Sequence, residues 1–460
     1  MGELSEKGRK KVSLGGDLCR SISPIYYLGK LCGLIPVRFL MRSPMEYRVR
    51  LHAVDVSYSI FVLMLLLGAE IWGMWRDLKD GWEHSTRLKS RTAVIATCSD
   101  VLGVMILTVV CVGGSCFRWN HLQTVMNKLI EVDKKIGVPS MKKIRRFTIG
   151  LTICTLAYLW LNSILDFYSW DRKTTISKAM PDKGPINYAP LYFMYTVIIS
   201  TEIQYTVCTY NIGKRFARLN SNLNDLLNGK RNDNANENNN QISYLRKSEK
   251  KKWNLSGKQL ILDENRKLYT SSVSELMIVH SSLCDTVSLV NTAFGVVILT
   301  VTVTCLLHLV ITPYFLIVQA VESNEWIFLL VQGGWCIFHV TRMLIIVQPS
   351  YFTVVEGKRT AVLVSRLLSC SFEANTRQEL EIFSLQLLHR PLEFSPCGLF
   401  DLDRTLITSM AGVVTTYLVI LVQFQNADDT KGEVDIIRNA TQILRNASPL
   451  QNLTGIKINV

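Results

Sequence analysis

Four residues in one apolar stretch are spaced to act together. Gln332, Trp335, His339 and Arg342 follow i, i+3, i+7, i+10, so a helix through them carries an amide, an indole, an imidazole and a guanidinium on one face. A second apolar stretch places Thr304, His308 and Thr312 four residues apart, again on one face. Glu202, Tyr195, Tyr205 and Asp166 add carboxylates and phenols within further apolar runs. Such groups stack and hydrogen-bond, which suits non-covalent recognition of a small polar molecule held between helices. Each also has a structural reading: Trp335 as core, His308 or His339 as inter-helix hydrogen-bond partners worth about 0.6–2 kcal/mol, and Arg342 as half of an ion pair. No nucleophile motif, phosphate loop, metal-ligand cluster or paired C-x-x-C stands out, so neither an enzyme nor a metal or cofactor is expected.

The elements that position these residues follow from hydrophobicity. The chain is 460 residues long and 48% hydrophobic, with mean hydropathy +0.20. A bilayer core of roughly 30 Å takes about 20 apolar residues in a helix, because backbone groups in lipid must be satisfied within the segment. Seven segments qualify: Val54–Trp75, Ala93–Phe117, Phe147–Phe167, Ala189–Ile212, Leu289–Ile317, Trp326–Val347 and Thr405–Phe424. The fold expected is therefore an all-α membrane protein with seven transmembrane helices. Intramembrane acids are expensive and face protein or water rather than lipid. Residues 1–50 are polar, basic and broken by Pro24, Pro36 and Pro44, unlike a signal peptide, so the first span is expected to direct insertion itself.

Lys and Arg accumulate on the cytoplasmic side of short loops. With the amino terminus inside, the inner segments hold 37 of the 51 basic residues and the outer segments 13, with Arg342 inside a span. This predicts a cytoplasmic amino terminus and an extracellular carboxyl terminus, inverted relative to G-protein-coupled receptors. The net charge of +14 lies beside hydrophobic spans, where anionic lipids attract it, so a nucleic-acid partner is not expected. All twelve cysteines fall in spans or inner segments, so no disulfide framework is expected. Asn439, Asn446 and Asn452 head N-x-S/T sequons in the tail, accessible to glycosylation on the outer side.

The organisation expected along the chain is a cytoplasmic segment over 1–50, transmembrane helices one to four over 51–213, and a cytoplasmic loop over 214–270. Helices five and six with a cytoplasmic extension follow over 271–350, then a cytoplasmic linker over 351–404, a pore helix over 405–424 and an extracellular tail over 425–460. Within the loop, Asn232–Asn240 is an Asn-rich tract nearly free of apolar residues, which predicts disorder.

The seventh span ends TTYLVILVQFQ, where Thr416 and Tyr417 precede five mainly apolar residues and then Gln423 and Phe424. This pattern, at the end of a last span, resembles the signature of the insect gustatory receptor family. Cys305–Val310 with Thr312, and Phe394–Ser409, look like its fructose-sensing branch, and Leu418 stands where many general sugar receptors carry Glu. The resemblance covers residues 280–425. It implies the insect chemoreceptor channel fold: a tetrameric, ligand-gated, non-selective cation channel with a sugar pocket in the outer half of each subunit. The assembly would be a homotetramer or mixed with other gustatory receptor subunits, in the plasma membrane of a sensory neuron dendrite.

On that resemblance, Gln332, Trp335, Thr312, His308 and Glu202 are expected sugar contacts, since a sugar presents hydroxyls to amides and imidazoles and C–H faces to rings. Phe424 would form the hydrophobic constriction, Gln423 its polar neighbour, and Thr416 and Tyr417 would pack on adjoining helices. Tyr417, Ile420 or Leu421, and Phe424 recur at helical spacing, a stripe suited either to a dewetting gate or to plain packing. A receptor for a bitter or other ligand is the alternative within the family. A G-protein-coupled receptor conflicts with the charge count, and a transporter lacks the paired repeats and broken midplane helices expected of it.

Overall fold

The computed structural model describes residues 14–43, 46–79, 91–177, 185–245, 255–322 and 326–423. Helix α1 (Leu14–Leu31) leads into an antiparallel hairpin of β1 (Val37–Ser43) and β2 (Glu46–Leu51), then α2 (Ala53–Leu78). There follow α3 (Arg91–Gly113), α4 (Ser115–Ile136), α5 (Met141–Ser177), a 3₁₀ turn over Pro185–Tyr188, α6 (Ala189–Leu245), α7 (Leu255–Glu322), α8 (Trp326–Leu368) and α9 (Ala374–His389). A final helix, α10, occupies Arg404–Gln423. The chain is mostly helical, and among the described residues six helices are long and apolar enough to cross a membrane.

The fourth expected span, Ala189–Ile212, lies at the amino-terminal end of α6, which is not among those six. Its composition is too polar because it runs through the centre of the bundle, against α1 to α5, α7 and α8. Ser200, Thr201, Glu202, Thr206, Thr209 and Asn211 are all buried there, where protein rather than lipid surrounds them. Its main partner is α8. Pro349 lies inside α8 and lacks an N–H, which frees the Ile345 carbonyl four residues earlier. The Thr206 hydroxyl donates to that carbonyl at 2.7 Å, so α6 repairs the bond the proline removes. Just below, the Thr353 hydroxyl donates to the Thr209 carbonyl at 3.0 Å, and the Tyr205 and Ser350 hydroxyls meet at 2.8 Å.

Three regions differ from the sequence expectation. The second span stops at Gly113 rather than Phe117, because the Gly113–Gly114 pair lets the chain begin a new helix, α4. That basic segment buries Trp119, Leu122, Val125 and Leu129 on one face, and the Trp119 indole donates to the Leu34 carbonyl at 2.9 Å. The first fifty residues, expected only as a polar segment, contain α1 and the hairpin. The Asn-rich tract, expected to be disordered, lies within α6: it contains no Gly or Pro, and asparagine disfavours a helix by less than about 1 kcal/mol per residue.

Where α4 meets α6, Arg215 donates to Asp133 at 2.6 Å with both side chains buried. Burial pushes the Asp133 carboxyl above its ordinary range, opposed by the guanidinium. Asp403 caps α10, its carboxylate accepting from the Thr405 and Leu406 amides at 2.9 and 3.2 Å. These bonds, with that from the Thr405 hydroxyl first, hold Asp403 below the usual carboxylate range.

Gly73 marks the closest approach of α2 to the 3₁₀ turn: a Cβ there would fall on the Asn187 carbonyl oxygen, which is backbone and cannot swing aside. Gly73→Ala should therefore lower the stability of the purified protein by about 1–3 kcal/mol, read as a reduced thermal midpoint. An unchanged midpoint would mean that α2 is not held against this turn.

Candidate ligand pocket

Five helices converge at one end of the bundle: α3 and α5 to α8. Their polar residues gather there because the paired ends of α7 and α8 bring the Thr304/His308/Thr312 face against the Gln332/Trp335/His339 face, while the start of α6 closes the floor. The cleft contains about 530 Å³ of empty space, including the solvent at its open mouth. Its lining comprises Thr97 and Asp100 from α3, Asp166 from α5, Tyr192 and Tyr195 from α6, and Thr312 from α7. From α8 come Gln332, Trp335 and His339.

The wall is an aromatic cluster centred on Trp335. Tyr192 stacks on it at 6.2 Å with the rings 10° apart, Tyr195 lies at 5.4 Å, and Phe338 meets it edge-on at 5.4 Å. The Tyr192 hydroxyl donates to Asp166 at 2.7 Å, which orients both groups at the cavity surface. Aromatic faces beside a carboxylate, an amide and hydroxyls give a ligand both an apolar surface and hydrogen-bond partners.

Beneath the cavity lies a fully buried ion pair. Arg342 donates to Glu202 Oε1 from Nη2 at 2.7 Å and from Nε at 3.0 Å. The same guanidinium lies 5.7 Å from the Tyr195 ring and 3.5 Å from His339 Nδ1, so pocket wall and ion pair form one structure.

The structure thus brings Gln332, Trp335 and Thr312 together in the cavity lining. His308 lies directly behind the wall, its ring 4.4 Å from that of His339 and its Nε2 3.0 Å from Asp100. Glu202 sits one layer deeper, occupied by Arg342. The polar lining residues outside the expected set are Thr97, Asp100 and Tyr192. Asp100 is the sole acid within Ala93–Phe117, and that isolation was the available signal; nothing in sequence marked Tyr192 as facing inward.

At the far part of the chain, Leu421 is half-buried and Gln423 exposed at the end of α10. Thr416 is exposed, its hydroxyl bonded back to the Gly412 carbonyl, and Tyr417 is 56% exposed. Neither is packed into its own chain, since 6% of this apolar span is buried. Phe424 and the sequon residues Asn439, Asn446 and Asn452 lie outside the described residues.

A bundle of membrane-length helices with a polar, aromatic pocket near one end is the architecture of a polytopic membrane receptor. The chain belongs to the 7tm chemosensory receptor family, whose profile matches residues 22–428. It is 26% identical over 422 residues to the gustatory receptor for sugar taste 43a of Drosophila melanogaster, covering 88% of this chain and 98% of that one. Its fold is similar to the insect olfactory receptor OR5 of Machilis hrabei, with TM-score 0.61 and 13% identity over 89% of this chain and 99% of that one. The same receptor in complex with eugenol gives TM-score 0.59 and 16% identity, at the same coverage. The family places the chain among chemosensory receptors rather than enzymes.

Proposed function

We propose that the chain is a gustatory receptor that opens as a non-selective cation channel when a sugar, fructose foremost, binds the pocket between α3 and α5 to α8. The observation that carries this is the Trp335 wall: a broad stacked aromatic face lining the same cavity as Gln332, Thr312 and Asp166 matches a molecule with C–H surfaces and many hydroxyls. Similarity to a receptor named for sugar taste over nearly the full length of both chains supports the same ligand class.

The working form is a homotetramer in the plasma membrane of a sensory neuron, with the amino terminus inside and α10 of each subunit lining the pore. The exposed apolar surface of α10 is the surface such an assembly would use. Sugar binds better when α7 and α8 draw together around it. That differential affinity shifts the population toward a state in which α10 is released, Gln423 facing the open path and Phe424 withdrawn from it, with Leu421 completing the closed constriction. Gln332, Trp335 and Thr312 contact the sugar, while His308 and Glu202 support the wall from behind.

Phe424→Ala should raise the sugar-independent current several-fold by leaving the constriction permeable to water and ions, measured as basal conductance at matched surface expression. A basal current equal to wild type would remove Phe424 from the gate.

Whole-cell recording with fructose, glucose, sucrose and a bitter alkaloid, under blocked G-protein signalling and with surface labelling, tests the reading. A rapid cation current to a sugar is expected. Current to the alkaloid alone, or none with the protein at the surface, would overturn it.

A further inference from the structure

We propose that Lys143 and Lys214 bind the headgroup phosphate of an anionic phospholipid at the membrane boundary opposite the pocket. The site is built around stacked rings. Phe147 on α5 lies against Tyr210 on α6 with centroids 4.2 Å apart and planes 28° apart, and Tyr210 in turn meets Phe352 on α8 at 6.0 Å. The Lys214 ammonium stands 4.9 Å from the Tyr210 centroid and 5.0 Å from that of Phe352, so two rings share one cation.

The depth of this cluster follows from helix geometry. Tyr210 comes eighteen residues after Tyr192 of the pocket wall on the same helix, about 27 Å at 1.5 Å per residue and close to the roughly 30 Å of a bilayer core. Phe147 opens the apolar run of α5, and the residues before it read Lys-Lys-Ile-Arg-Arg. The rings therefore sit where hydrocarbon gives way to headgroups, the level at which aromatic side chains collect. Asp166 meets Tyr192 at one end of the pair of helices and Phe147 meets Tyr210 at the other, so α5 and α6 are antiparallel. Lys143, four residues before Phe147, and Lys214, four after Tyr210, thus both lie one turn beyond the stacked pair, on its headgroup side.

The charges at this corner are unmatched. Lys143 is exposed and Lys214 half-buried, and neither meets a carboxylate among the described residues. The acids on the adjoining stretches are engaged elsewhere. Asp133 is held by the buried Arg215, while Glu356, one turn past Phe352, accepts from Asn220 at 2.9 Å and stands 3.9 Å from Arg359. Each ammonium has three N–H donors, and those not turned to the rings remain for phosphate oxygens. The rings supply an apolar edge for the glycerol and the first carbons of the acyl chains, which a free phosphate would leave unused. A zwitterionic headgroup brings its own cation and gains less from two lysines. The site stands whatever the pocket binds.

The test titrates the purified full-length chain, in neutral detergent, with short-chain phosphatidylinositol phosphate while the thermal midpoint is followed. The midpoint should climb saturably with this lipid and stay unchanged with short-chain phosphatidylcholine or with inositol phosphate alone. Lys214→Met keeps the side-chain stem on the rings while removing the charge, and Lys143→Gln removes the second ammonium. Each should raise the half-saturating lipid concentration at least about fivefold, whereas Arg145→Gln, an equal loss of charge on the opposite flank of α5, should change it by less than about twofold. Should Lys214→Met fail to fold, Lys143→Gln against Arg145→Gln decides alone. Equal weakening by Arg145→Gln would reduce the effect to general attraction and overturn the site. An equal rise with phosphatidylcholine or inositol phosphate, or none with any of the three, would overturn it as well.

Discussion

Arg342→Ala should give a protein that fails to reach the cell surface. The substitution strands the Glu202 carboxylate, which is wholly buried at the centre of the bundle with Arg342 donating two of its hydrogen bonds. Removing one partner of such a pair costs about 3–5 kcal/mol, a large share of the roughly 5–15 kcal/mol that holds a folded domain together. The pair need not itself be strongly stabilising, since two desolvated charges repay little more than their burial penalty. The combined change Glu202→Gln with Arg342→Met should therefore recover much of the surface protein. Surface biotinylation of the single and double variants decides the point. Normal delivery of Arg342→Ala would show that water reaches Glu202, and no recovery in the double variant would mean that the pair sets the α6–α8 geometry itself.

Trp335→Ala should abolish the sugar response by removing the surface on which Tyr192 and Tyr195 are assembled. Loss of a large aromatic contact of about 1.5–3 kcal/mol corresponds to roughly a ten- to hundredfold rise in the half-maximal concentration. Collapse of the neighbouring tyrosines into the vacated space adds to it. Trp335→Leu controls for packing, since it keeps apolar volume while deleting the ring. Both variants should appear at the surface and both should lose sugar sensitivity. An unchanged dose-response curve in Trp335→Leu would place the sugar away from this wall.

The two expectations differ in how far sequence alone could reach them. The membrane spans were legible because a bilayer demands about 20 apolar residues with internally satisfied backbone, a constraint written directly into hydropathy. The polar Ala189–Ile212 reads as a span from its apolar residues, whereas the structure makes it the buried start of α6, outside the six helices apolar enough to cross a membrane. The shared face of Gln332 and Trp335 followed from helical spacing, and so did that of His308 and Thr312. What spacing cannot supply is which face of one helix meets which face of another. Tyr192 and Asp100 enter the pocket only through the packing of α3 and α6 against α7 and α8. The same packing turns His308 toward Asp100 and places Glu202 under Arg342. The Gly113–Gly114 break and α4 behind it were hidden because a basic amphipathic helix and a solvated basic loop have similar composition.

The Pro349 site shows how local and tertiary structure agree. A proline in mid-helix reads as a break, yet α8 continues to Leu368 because Thr206 on the neighbouring helix accepts the cost by bonding the freed Ile345 carbonyl. Polar residues on α6 therefore serve two purposes, repairing backbone at one level and building the pocket floor at another. This accounts for a central helix that is buried yet not apolar.

The most direct test of the central claim is single-channel recording from the purified chain reconstituted alone into a planar lipid bilayer, with fructose added to either side. Unitary cation openings that appear with fructose, and vanish in Trp335→Leu, are the predicted result. A bilayer that stays silent to fructose while the incorporated protein remains folded would contradict the account.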